Sequence, residues 1–108
     1  MDKYDETVNA IPATAGTPTR SNVAEVGTGG DPAVIAAANV ARRGLMVYND
    51  SANNLFLALG AAASSTSYTC KVPGGAYYEM PYGYDGLVTG IWDGSTHTGA
   101  ARVTELTA

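Results

Sequence analysis

Residues 44 to 60, GLMVYNDSANNLFLALG, decide the fold. GLMVYND alternates like a half-buried strand, with Leu45, Val47 and Asn49 on one face and Met46 and Tyr48 on the other. NDSANN is turn chemistry, because Asn and Asp tolerate left-handed backbone and hydrogen-bond their own main chain. NLFLALG then reads as the next strand, and the spacing predicts that it pairs with GLMVYND as a hairpin.

The same punctuation extends in both directions. PAVIAAANV, from residue 32, predicts a first strand, although its alanines also tolerate a helical turn. SSTSYTCKV, AYYEMP, GLVTGIW and AARVTEL complete the set, with PGG, YGYDG and DGSTHTG as connections. Turn signals about every 8 to 12 residues are the rhythm of an all-β domain. The expectation is an antiparallel β-sandwich or barrel of seven to eight strands over residues 32–108, without a helix and without an internal repeat.

Residues 1–31 differ in kind. They hold two prolines, four glycines, many Thr and Ala, and five acids against Lys3 and Arg20. Such a segment buries too little apolar surface to offset its ordering entropy alone. It reads as an extended arm, able to span on the order of 100 Å at about 3.3 Å per residue. Tyr4, Val8, Ile11, Pro12, Val23 and Val26 are the side chains with which it would contact a partner.

Composition narrows the function. The net charge of −4, with only six basic residues among 108, argues against nucleic-acid binding, which needs a dense basic patch. Arg42-Arg43 is the one basic pair; it reads as a strand entrance and a candidate subunit contact rather than a phosphate site. No apolar run is long enough to span a bilayer, and the acidic N-terminus has no signal-peptide core. The single cysteine, Cys70, predicts neither a disulfide nor a zinc site and reads as a small strand side chain made in a reducing cytosol.

Groups able to do chemistry are few. His97 is the lone histidine, in a Gly/Ser/Thr loop, and Asp93, Ser95 and His97 are too close in sequence to form an oriented triad. Glu79, Asp85 and Asp93 beside the tyrosines have the composition of a sugar cleft, yet they read better as a strand-face glutamate and turn aspartates. GTGGD lacks the GK[ST] ending of a phosphate loop, Asn49-Asp50-Ser51 is a sequon without a secretory context, and no D-x-D-x-D calcium spacing occurs. A non-enzymatic protein without cofactor or metal is expected. A core of small strands with nothing to reinforce it also points to oligomerisation.

The string from Ala41 to Leu106 carries an RRG…VYNDS…LFLALG unit, then SYT…PGGAYYE.P.GY.G…GIW, then a closing ARVTE strand. In order and spacing it resembles small virion structural proteins of tailed bacteriophages. That resemblance implies a capsid decoration or cement protein, or a β module of fibres and baseplates. It further implies assembly as a homotrimer or dimer on the major capsid protein at the virion surface, a terminal arm strapping neighbours, and no catalytic residues. The alternative is a tail-associated adaptor or a receptor-binding module that stacks glycans on aromatic rings.

Four tyrosines, Tyr77, Tyr78, Tyr82 and Tyr84, and then Trp92 crowd one turn and are the candidate interface. Tyr77 and Tyr78 are consecutive, so on a strand they point to opposite faces and form no single platform. Half of the cluster is expected in the core and half outward, toward a neighbouring subunit.

Overall fold

The computed structural model describes residues 16–24, 32–94 and 99–108. They form eight strands and no helix, arranged as two antiparallel four-stranded sheets packed as a sandwich. The strands are β1 (Thr17–Ala24), β2 (Ala33–Ala36), β3 (Arg42–Ser51), β4 (Leu55–Leu59), β5 (Cys70–Val72), β6 (Tyr77–Glu79), β7 (Val88–Trp92) and β8 (Gly99–Thr107). Sheet A has the order β1-β8-β3-β6 and sheet B the order β2-β7-β4-β5. The all-β sandwich read from the sequence is what the chain forms.

β3 alternates as its sequence dictates: Leu45, Val47 and Asn49 are buried and Met46, Tyr48 and Asp50 are exposed. β4 does not alternate, since Leu55, Phe56, Leu57 and Ala58 are all buried. Leu55 and Leu57 join Ile35, Val72, Val88 and Trp92 in the core, facing Leu45, Val47, Ala101 and Val103 of sheet A. Phe56 lies on the opposite, outer side, where Tyr68 covers it with ring centroids 4.8 Å apart. The covering loop is pinned by Thr89, whose hydroxyl donates to Ala61 O and accepts from Ala63 N. The outer side of sheet B over Phe56 and Thr89 is therefore covered by the chain's own residues 61–69, while Val34 on β2 stays exposed.

The expected hairpin between GLMVYND and NLFLALG does not form: β3 belongs to sheet A and β4 to sheet B. The intervening residues make a corner, and the fully buried Asn49 explains why. Its amide donates to Asn53 O at 2.7 Å and to Val72 O, in sheet B, at 2.8 Å, while its side-chain oxygen accepts from Ser51 Oγ. Asp93, at the end of β7, holds Asn54 through its backbone N–H and its amide. NDSANN thus spends its polar groups on tying the two sheets together rather than on reversing the chain within one.

Two further departures concern local geometry. Only Cys70–Val72 of SSTSYTCKV is strand, because Ser64 and Ser67 close a turn on each other. Only Ala33–Ala36 of PAVIAAANV pairs, because the chain then turns at Asn39 to Ala41.

A strand inside the stretch read as an arm is part of sheet A. β1 pairs with β8 over its whole length, from Thr17 opposite Thr107 to Ala24 opposite Ala100. Composition hides this, since ladder hydrogen bonds are main-chain bonds and need no apolar side chain. Val23, expected as an arm contact, is half-buried against its own core. Tyr4, Val8, Ile11, Pro12 and Val26 lie outside the described residues.

β8 starts at Gly99, which has φ +117° and sits opposite Ser51. A Cβ there would run into the Asp50 carbonyl and stand 2.8 Å from Ser51 Cα. Gly99→Ala is therefore expected to destabilise the fold by about 2 kcal/mol through left-handed strain and overlap. Urea titration of the two proteins measures it, and a loss below about 0.5 kcal/mol, the level of a neutral surface change, would contradict it.

Candidate interaction face

The outer side of sheet A is built from residues that strict pleating sends away from the core. Opposed residues share a face, so Tyr77, Tyr48, Arg102 and Asn22 form one row across four strands. Glu79, Met46, Thr104 and Arg20 form the next. Among the described residues this face stays largely open to solvent. Tyr77 is 64% exposed, Met46 41% and Tyr48 39%. Arg102 crosses to Asp50 at 3.0 Å, an exposed pair that orients more than it stabilises.

At one end of the face lies a groove of about 610 Å³, lined by Arg43, Gly44, Met46, Glu79, Tyr82 and Leu106 among others. Gly44 opens its floor: having no side chain, it leaves only Leu106 filling that point, 3.4 Å from where a Cβ would stand. Tyr82, 87% exposed, forms a wall. The groove is apolar at its base and carries opposite charges, Arg43 and Glu79, at its rim.

The candidate residues read from the sequence divide between interior and surface. Tyr77 and Tyr82 are surface groups, as the alternation requires, whereas Tyr78 and Tyr84 pack half-buried on the core. Burial pushes the Tyr78 phenol above its usual range, with the nearby Cys70 adding to the rise. Burial likewise raises the Cys70 thiol, which lowers its reactivity as a nucleophile. Tyr84 donates its hydroxyl to Leu87 O at 2.7 Å, bracing the corner that carries the chain from β6 to β7. Gly83, with φ +100°, makes the bend possible.

Trp92 and Arg42 are not contact residues. Trp92 is buried in the core opposite Leu55. The Arg42 side chain is fully buried, donating to Glu105 Oε2 at 2.7 Å, Gly86 O at 2.7 Å and Ala37 O at 2.5 Å. Strict alternation backward from Leu45 would place Arg42 outside. The ladder slips between Arg42 and Gly44, and the extra residue, Arg43, returns Arg42 to the inner side. Arg43 remains half-buried at the groove.

The carboxylates weighed as a sugar-cleaving pair stand on separate elements. Glu79 is on the outer side of β6, Asp85 is in the β6–β7 corner, and Asp93 is engaged by Asn54. Among the described residues, no three His, Cys, Asp or Glu side chains gather as a metal site. Ser95 and His97 lie outside the described residues. Asn49 is fully buried with its amide committed, so the sequon at 49–51 offers no accessible acceptor. Met46 and Tyr48 were not singled out from the sequence as exposed groups of this face, although the alternation of GLMVYND assigns them to the side opposite Leu45 and Val47. Met46 and Tyr48 complete the exposed band that Tyr77 begins.

Comparison with protein-family models, curated proteins and solved structures finds no match to this chain.

Proposed function

We propose that the protein is a structural component of a tailed-phage virion, a cement or decoration protein that binds the head through the outer face of sheet A. The observation that carries this reading is the asymmetry of the sandwich. Residues 61–69 cover β4 and β7 of sheet B and leave Val34 on β2 exposed, while sheet A presents Met46, Tyr48, Tyr77 and Tyr82 beside a groove. Tyrosine and methionine are enriched at protein contacts, where they combine large area with low ordering cost. The partner is the major capsid protein, with further copies of this chain, a trimer in preference to a dimer, around each lattice axis. In this reading the chain ahead of β1 straps neighbouring subunits. Many such sites on a symmetric shell add avidity to a modest contact, and binding stabilises the thin core by mass action.

The test is the Tyr48→Ala, Tyr77→Ala, Tyr82→Ala triple variant, added to heads from which the protein has been removed. All three side chains are exposed, so melting is expected to shift little while head binding falls at least about tenfold, or 1.4 kcal/mol. Unchanged binding by a folded variant would remove this face from the contact.

A receptor-binding or tail-adaptor module is the second reading, favoured by the juxtaposition of Tyr48 and Tyr77 as opposed residues on an open face. Binding to a glycan array that disappears in Tyr77→Ala would support it; a blank array would leave the capsid reading alone.

A further inference from the structure

β1 is held in an unusual way. Of its eight residues only Val23 is even half-buried. Thr19 and Ser21 sit opposite Glu105 and Val103, on the side that faces sheet B, yet both are exposed. Sheet B therefore covers β1 only in part, through β2, and the strand is retained largely by its main-chain ladder to β8 and by Val23 opposite Ala101. Ladder bonds at an open edge each contribute about 1 kcal/mol net, because water competes for them.

β8 without β1 has the opposite problem. It would present a nine-residue edge with unpaired N–H and C=O groups, a template for any strand of matching register. The strand that matches it is the chain's own TPTRSNVA, with Val23 set against Ala101. Every other copy of the chain carries the same strand. Donating β1 to a second copy conserves each contact it makes at home, which is the condition under which strand exchange costs little.

We infer that the β8 edge is an acceptor site for β1 of a second copy, so that copies of this chain associate by exchanging Thr17–Ala24. This assigns a contact between copies that the capsid-binding reading leaves unspecified, and it is tested on purified protein with no particle present.

Arg20 and Thr104 are opposed on the outer side of sheet A, within the Cα separation that a disulfide bridges. In a Cys70→Ser background, the single variants Arg20→Cys and Thr104→Cys are mixed, unfolded and refolded together, then oxidised. Exchange predicts a mixed disulfide dimer of one chain of each kind, several-fold more abundant than from the unopposed pair Arg20→Cys with Asp85→Cys. A mixed dimer no more abundant than that control overturns the inference, as does a refolded double variant, Arg20→Cys with Thr104→Cys, that closes only within one chain. The pair Asn22→Cys and Arg102→Cys repeats the test in the adjacent row should the first variants refold poorly. Failure here leaves head binding by the tyrosine face, measured on particles, unaffected.

Discussion

Arg42→Ala is expected to lose about 3–5 kcal/mol of stability, because it removes one partner of a buried ion pair and leaves the other behind. The guanidinium is fully buried and joins three separate places: Glu105 on β8, the Gly86 carbonyl in the β6–β7 corner, and the Ala37 carbonyl after β2. Truncation strands a carboxylate that is itself mostly buried, together with two carbonyls. In a domain of this size the melting temperature should fall by about 15 °C or more. Arg42→Lys is the informative companion. It keeps the charge but cannot reach three acceptors in three directions, so it should recover less than half of the loss. Denaturant titration of the three proteins decides the matter; an alanine variant within about 1 kcal/mol of the parent would show that the clamp adds little beyond its desolvation cost.

The second large effect is expected at Asn49, where charge and shape can be separated. Asn49→Leu keeps the branched outline but is bulkier and removes the donations to Asn53 O and Val72 O and the acceptor of Ser51 Oγ, at a cost of about 2–4 kcal/mol. Asn49→Asp is worse near neutral pH, since a carboxylate would face two carbonyl oxygens in a dry site. The folded state would then bind its proton more tightly than the unfolded chain does, raising the folded pKa. The sign follows: the aspartate variant is most stable below about pH 4, the ordinary carboxylate range, and loses stability as pH rises through it. Melting curves from pH 3 to 7 test this against the leucine variant, which should show no such extra slope. Equal slopes for the two variants would mean that water reaches the corner.

These two residues also mark where the sequence was legible and where it was not. The alternation of GLMVYND located the core face of β3 residue by residue, because a pleated strand with one dry side leaves no other register. The same logic separated Tyr77 from Tyr78. It failed at Arg42, where one extra residue in the ladder reverses the alternation, and such a slip leaves no mark in composition. It failed again at NDSANN, where a turn within one sheet and a corner between two use the same residues; the buried amide of Asn49 made the difference. LFLAL held a clue that alternation alone would discard. An unbroken apolar run signals cover on both sides, and the roof of residues 61–69 supplies it. β1 was the least visible element, since a strand held by its backbone has no side-chain signature. Of the candidate surface, Tyr77 and Tyr82 were in plain view, whereas Met46 and Tyr48 became neighbours only once β6 was known to lie against β3.

The central place of β8 in sheet A governs how the molecule folds. It pairs with β1 on one side and β3 on the other, and its partners lie roughly 50 to 90 residues away along the chain. Closing loops of that length comes before any ladder energy is returned, which puts such a domain among slow, high-contact-order folders. Until residues 99–107 arrive, β1 and β3 have no strand between them, and Leu45 and Val47 lack the neighbours that keep them dry. Most of sheet B does not wait in this way, because β4 pairs with β5 a short loop later and with β7 soon after, and only β2 must await β7. Refolding should therefore proceed from one half of the sandwich to the other, with the tyrosine-bearing face the last to take shape.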